Sequence, residues 1–186
     1  MATVVSRASQ TSSGIGFVVR NPTAGDAEAW IDHAVAVMQE SDFTKTEPED
    51  LVSSLQEQEA WIAAMNAHVG NLALVAEIEG DLVGVLYCRA STSRRMAHVC
   101  AFAMSVRRQW WGQGVGTSLV QCLVDWARAH PEIRKVTMRA LVSNARALAL
   151  YRKFGFFVEG RFAEAIKAGD GTFVDDFEMG LFVKPK

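Results

Sequence analysis

The sequence predicts an α/β fold: a mixed central β-sheet of about seven strands with helices on both faces. Three observations carry that expectation. Strand-like and helix-like periodicities follow one another in the order β-α-α-β-β-β-α-β-α-β-β, a pattern that stacks helices on a sheet. The run from residue 96 to 106 is apolar on both faces, as a strand covered from both sides should be. That run leads into Val106-Arg107-Arg108-Gln109-Trp110-Trp111-Gly112-Gln113-Gly114-Val115-Gly116-Thr117, and an amphipathic helix leaves it.

Taken in order, Gly16 to Arg20 reads as a first strand, broken by Asn21-Pro22-Thr23. Thr23 can cap a helix whose apolar residues Trp30, Ile31, Ala34, Val37 and Met38 recur at helical spacing. Residues 41–47 are polar and loop-like. Thr46-Glu47-Pro48-Glu49 has the form of a capping box with an early proline, opening a second helix with Leu51, Leu55, Ile62 and Met65 on its buried stripe. Two apolar runs, 71–78 and 82–89, flank Glu79-Gly80-Asp81 and predict a hairpin. Residues 114–130 carry Val115, Leu119, Leu123 and Trp126 on one face of a helix, and Ser118, Gln121, Asp125 and Arg128 on the other. Pro131 follows its end. Residues 135–141 form the next strand, and 144–154 a helix stopped by Gly155. Residues 156–165 and 173–183 are strands around Ala168-Gly169-Asp170-Gly171.

At 186 residues the chain suffices for one domain with a full core. Residues 15–186 are expected to form it. Residues 1–14, rich in Ser and Thr and without an apolar signal core, are expected to be a loose tail. The net charge of −2 implies no nucleic-acid partner, and no apolar run approaches a membrane span. Cys88, Cys100 and Cys122 are odd in number and lack metal spacing, which suggests buried free thiols in a reducing cytoplasm and no bound metal.

The glycine run carries the chemistry. Glycines at alternate positions let main chain approach a ligand closely. The helix that follows offers unpaired N–H groups and the positive end of its dipole to an anion. Together these suit a pyrophosphate. A P-loop would need Gly-Lys followed by Ser or Thr, and no lysine is present. The dinucleotide fingerprint needs another spacing and an acid about 20 residues on; Pro131-Glu132-Ile133-Arg134-Lys135 fits poorly.

The stretch resembles motif A of the GNAT superfamily of N-acetyltransferases, Gln/Arg-x-x-Gly-x-Gly/Ala. Gly114 and Gly116 fall on the small positions, and Trp111 stands where Gln or Arg is usual. Asn144-Ala145-Arg146-Ala147-Leu148-Ala149-Leu150-Tyr151-Arg152-Lys153-Phe154-Gly155-Phe156 resembles the family's motif B. The resemblance covers residues 96 to 182 and, more weakly, the segment from residue 17.

It implies the GNAT fold, in which two parallel strands splay and the pantetheine of acetyl-CoA fills the gap. Met104 and Val106 would pair with pantetheine through main chain. The Met104 N–H could also face the developing oxyanion. Main-chain groups of Trp111, Gly112, Gln113, Gly114, Val115, Gly116 and Thr117 would hold the pyrophosphate. Asn144 would bond the pantetheine arm and Ala147 would leave room for it. Tyr151 is implied as the general acid, protonating the leaving thiolate. The general base is open: His98 and Glu77 are candidates, and a chain of waters is an equal alternative. Arg94-Arg95 and Arg107-Arg108 could meet an acidic substrate or the CoA phosphate, although solvated charge is the simpler reading.

The C-terminal pattern through Val158-Glu159-Gly160-Arg161 and Gly171-Thr172-Phe173-Val174-Asp175-Asp176 resembles the branch that acetylates amino acids and other small amines. The acceptor pocket would then draw on residues 41–47, Trp30, Trp61 and the 168–171 turn. Ribosomal-protein-type N-terminal acetylation, or a CoA-binding module without catalysis, are the alternatives. Sheet edges in this fold can pair between subunits, which allows a homodimer.

Overall fold

The structure, a computed structural model, describes residues 6–45 and 54–185. Among these, eight strands form one sheet: β1 (Arg7–Gln10), β2 (Gly16–Arg20), β3 (Asn71–Ile78), β4 (Asp81–Ala90), β5 (Val99–Val106), β6 (Lys135–Leu141), β7 (Phe157–Lys167) and β8 (Phe173–Phe182). Four helices join them: α1 (Ala27–Glu40), α2 (Leu55–Ala67), α3 (Val115–Ala129) and α4 (Ala145–Lys153). The sheet order is β1-β2-β3-β4-β5-β6-β8-β7, antiparallel except where β5 lies parallel to β6. The α/β class and the helices on both faces agree with the sequence.

The two faces hold two cores. Leu74 and Leu86 of the sheet pack with Leu119 and Leu123 of α3 and with Leu148 and Tyr151 of α4. On the other face Ala27, Trp30, Ile62 and Met65 of α1 and α2 pack on Ala73, Val75 and Val85. Each fully buried leucine stabilises the fold by about 1.5–3 kcal/mol relative to exposure. β3 and β4 have helices on both faces, whereas β5, the run read as covered from both sides, begins at Val99 and leaves Ala101 and Ala103 exposed.

The hairpin between β3 and β4 is tighter than the sequence suggested. Glu79 (φ 51°) and Gly80 (φ 92°) are both left-handed, as a two-residue type I′ turn requires. The helix-opening segment Thr46-Glu47-Pro48-Glu49, with Leu51, lies outside the described residues. The described α2 opens at Ser54, whose N–H donates to the Glu57 carboxylate at 2.8 Å while its hydroxyl accepts from the Glu57 N–H at 3.3 Å.

Arg7–Gln10 corrects the reading of residues 1–14 as a loose tail and raises the sheet from about seven strands to eight. These residues pair with β2 from Arg7↔Val19 to Gln10↔Gly16. Arg7 reaches the polar face of α3, donating to Asp125 at 3.3 Å, and beyond the strand the Ser12 hydroxyl donates to the Gln113 side chain in the turn before α3 at 2.6 Å. A polar edge strand of this kind buries no apolar stripe, so periodicity cannot show it.

Candidate active site

The site arises where β5 and β6 part. The parallel bridges run Val99↔Lys135, Cys100↔Val136 and Ala101↔Thr137, and stop there. Both strands continue, β5 held only by β4 and β6 only by β8. Arg107 N–H donates to the Val83 carbonyl at 2.9 Å, which fixes the phase of the antiparallel ladder. Bonding alternates along such a ladder, so Ser105 and Ala103 turn their main chain to β4. Phe102, Met104 and Val106 turn theirs into the gap.

A cavity of about 320 Å³ occupies that gap. Its floor and cradle come from Met104, Val106, Trp111, Gly112, Gly114, Gly116 and Thr117, and its α4 side from Asn144, Arg146, Ala147, Leu150 and Tyr151. Its opposite wall comes from Val37 of α1 and from Ser41, Phe43 and Thr44 of the loop beyond.

Gly112 (φ 75°) and Gly114 (φ 92°) are left-handed, so the chain turns into α3 without a side chain over the cavity. At Gly116 a Cβ would sit 3.4 Å from both the Leu150 and Met104 side chains. Ser118 N–H makes the first helical bond, to the Gly114 carbonyl at 3.0 Å. The N–H groups of Val115, Gly116 and Thr117 therefore precede the ladder and carry the partial positive charge of the α3 end.

Two of the expected main-chain donors are already engaged: the Trp111 N–H donates to the Arg108 carbonyl at 3.1 Å, and the second is that of Gln113. Gln113 does not line the cavity. Its N–H donates to the Trp110 carbonyl at 3.4 Å and its carbonyl accepts from Ser12 N–H at 3.2 Å. The Val115 side chain is fully buried in the core, leaving only its main chain to the cradle.

Trp111 has a part that the motif did not reveal. Its indole N–H donates to the Val106 carbonyl at 2.7 Å. Of Val106, the N–H is thus left for a ligand, and the carbonyl is not. The exposed side of the same ring carries the Arg146 guanidinium at 3.4 Å, with Arg108 5.6 Å away. Burial and the neighbouring Arg108 push the Arg146 guanidinium below its ordinary value.

Tyr151 and Asn144 share the cavity. Tyr151 is 4% exposed, and its ring packs edge-on against Phe102 at 5.6 Å. Burial pushes its phenol up, so it stays protonated through the neutral range. Asn144 caps α4, its Oδ1 accepting from Ala147 N–H at 3.1 Å, which leaves its NH₂ donors for a ligand.

The two expected base candidates are elsewhere. His98 is exposed and precedes β5, while its carbonyl accepts from Arg134 and Lys135 N–H. At about 3.3 Å per residue it lies roughly 20 Å from Met104. It shares the pleat parity of Met104 but sits at the wrong end of the strand. Glu77 is on β3 and accepts from both Arg20 Nε at 3.0 Å and an Arg20 terminal nitrogen at 2.7 Å. Arg20 also binds Asp26, holding its carboxyl down at about 2. Glu77 is thus tied into a structural ion cluster and does not line the cavity.

Trp30 and Trp61 also differ from the expected acceptor pocket. They meet each other at 5.3 Å inside the second core, and the 168–171 turn does not line the cavity. The Arg107 of the basic pair is engaged by Glu40 at 2.8 Å. Sequence reasoning missed Arg146, Ser105 and His33. It also missed Asp176 as an anchor: this fully buried carboxylate takes Arg139 at 3.0 Å and Lys45, tying the end of the cavity loop to β8.

Among the described residues no cluster of three metal-ligating side chains occurs, and no helix is long and apolar enough to cross a membrane. The three cysteines are buried and unpaired.

A strand pair that splays over a glycine-lined helix start invites comparison with known proteins. The acetyltransferase (GNAT) family model matches residues 33–156. The chain belongs to that family. It is an N-acetyltransferase, and acetyltransferases of known structure share its fold. The GNAT acetyltransferase of Streptococcus pneumoniae superposes with a TM-score of 0.86 at 23% identity, covering 89% of this chain and 99% of that one. YncA of Salmonella typhimurium, a putative acetyltransferase solved with its cofactor acetyl-CoA, gives 0.80 at 19% identity over 91% and 95% of the two chains. In sequence, the L-amino acid N-acetyltransferase AaaT of Escherichia coli is 29% identical over 119 residues, 64% of this chain and 73% of that protein.

Proposed function

We propose that the enzyme transfers the acetyl group of acetyl-CoA directly to a primary amine of a small molecule such as an amino acid. The observation that carries the reading is the unpaired inner edge of β5, where Met104 and Val106 offer main-chain groups to the cavity. Acetyl-CoA supplies an activated acyl group as a thioester with a thiol to release.

The residues present fit that co-substrate. Met104 and the Val106 N–H would receive the pantetheine amides. The Val115, Gly116 and Thr117 N–H groups would hold pyrophosphate, with Arg146 on its Trp111 platform beside them. The Asn144 NH₂ would hold the pantetheine arm. Met104 N–H would also stabilise charge on the acetyl oxygen. Tyr151, neutral and without a hydrogen-bond partner among the described residues, would protonate the departing sulfur.

The amine would arrive from the α1 side, past Val37, Ser41, Phe43 and Thr44. A wall on that side suits a small acceptor better than an extended chain, and the similarity to an L-amino acid N-acetyltransferase supports the same class. Thiol release from acetyl-CoA, measured with free amino acids, polyamines, aminoglycosides and N-terminal peptides, tests the reading. Release with free amino acids is expected. Release with peptides alone would move the enzyme to protein acetylation, and binding without release would leave a CoA-binding module.

A further inference from the structure

His33 lies in the first half of α1, and 1% of it is exposed. Its Nε2 is 2.9 Å from the Ser105 hydroxyl. Ser105 is on β5 between Met104 and Val106, and it lines the cavity. Pleat alternation puts its side chain on the α1 face, the side walled by Val37, one helical turn beyond His33.

Burial pushes the imidazole down to about 4, opposed by the Leu82 carbonyl. Arg107 lowers it further and Glu40 raises it, and those two are paired with each other. The ring is therefore neutral at pH 7. No acceptor lies within full hydrogen-bond geometry of its Nδ1 among the described residues, so the Leu82 carbonyl acts on it as a longer, weaker contact. The tautomer the relay requires has its proton on Nδ1, on the side of the Leu82 carbonyl that raises the imidazole, so that Nε2 accepts from Ser105. The hydroxyl is then polarised from behind, with its lone pairs toward the cavity.

We propose that Ser105 and His33 form a two-residue relay that removes the proton from the attacking amine. The proposal rests on the reading of the site as an acetyl-transfer centre, and it supplies the base that His98 and Glu77 cannot. An ammonium acceptor first loses one proton to solvent. As the nitrogen lone pair forms the N–C bond, a second nitrogen proton passes to Ser105 Oγ. The proton of Ser105 passes at once to His33 Nε2. The C–S bond breaks, and the sulfur takes the Tyr151 proton. The imidazolium then returns its proton to the Tyr151 phenolate through solvent. One ammonium and one thioester give one amide, one thiol and one free proton. A weakly basic imidazole suffices because the nitrogen becomes strongly acidic only as the new bond forms.

Ser105 is the catalytic residue, and His33 acts through it. The test uses the full chain and whichever L-amino acid gives the wild type its highest rate. Ser105→Ala is expected to lower kcat about 100-fold or more, with the KM for acetyl-CoA little changed and the melting temperature lowered by only a few degrees as the buried His33 Nε2 loses its partner. Ser105→Thr keeps a hydroxyl and should recover turnover relative to Ser105→Ala. His33→Gln can still bond Ser105 but cannot take its proton, so it should fall as far as Ser105→Ala. The double variant should fall no further, as expected of residues acting in one step. Turnover of Ser105→Ala within twofold of wild type would overturn the relay, as would losses that multiply in the double variant. Should His33→Gln fail to fold, the Ser105→Ala and Ser105→Thr pair still decides. If no amino acid is a substrate, the amino-acid reading falls and the variants are compared with the best simple amine or short peptide. If no amine at all supports turnover, the relay falls with it.

Discussion

The Trp111 indole N–H donates to the Val106 carbonyl at 2.7 Å, joining the glycine turn to the last residue of β5. The bond closes off one of the acceptors at the open strand edge and holds the ring flat under Arg146. A residue that departs from the family pattern thereby gains two roles. It sets the shape of the cradle, and it positions a cation beside it.

Replacing Trp111 by Phe separates those roles. The ring that carries Arg146 remains, but the Val106 carbonyl loses its partner. An unsatisfied, half-buried acceptor costs about 1–3 kcal/mol. Urea denaturation should show a loss of that size, and unchanged stability would mean that water replaces the indole at no cost.

Arg146→Ala should act on binding alone. The side chain is exposed, so the melting temperature should hardly move. A cation removed from beside a phosphate costs about 1.4 kcal/mol, or roughly tenfold in affinity. Calorimetric titration of CoA at low and high salt should show the loss, and the salt dependence should flatten. Equal affinity for variant and wild type would place the phosphates elsewhere.

Tyr151→Phe retains the ring that packs on Phe102 and removes the phenolic proton. The kcat should fall about 100-fold or more, with CoA affinity unchanged. Stopped-flow thiol release and equilibrium binding distinguish the two effects. A variant that turns over at the wild-type rate would reduce Tyr151 to a packing residue.

His33 makes stability depend on pH. Its folded value, about 4, lies below the ordinary value of 6.5. Between those values the unfolded chain takes up a proton that the folded chain refuses, so stability is full above pH 6.5 and falls toward pH 4. The total is on the order of 3 kcal/mol. Urea midpoints across that window should decline in the wild type, and the decline should be shallower in His33→Gln. Parallel curves would show that His33 charges freely in the fold.

Several features could be read in the chain because they are local. The glycine run before α3, the helix stop at Gly155 and the apolar stripe of α3 depend on residues within a turn of each other. The gap itself came from resemblance, since no local signal says where two parallel strands stop pairing. Arg7–Gln10 escaped notice because its strand is held by main chain and polar side chains. His98 was misplaced because pleat parity gives the face of a strand and says nothing of which end meets the ligand. Glu77 looked free because its partner Arg20 is 57 residues away. The His33–Ser105 contact spans 72 residues. Its one local trace is the spacing of His33 between Trp30 and Val37, which places a histidine on the inward stripe of α1.

The most direct measurement is calorimetric titration of acetyl-CoA into the wild type and into Gly116→Val. A side chain at Gly116 would enter the space between Leu150 and Met104, on the floor of the gap. One site per chain is expected for the wild type, with affinity at least about tenfold weaker in the variant and a melting temperature lowered only slightly. Equal affinity in the two proteins would contradict the placement of the acyl donor between β5 and β6.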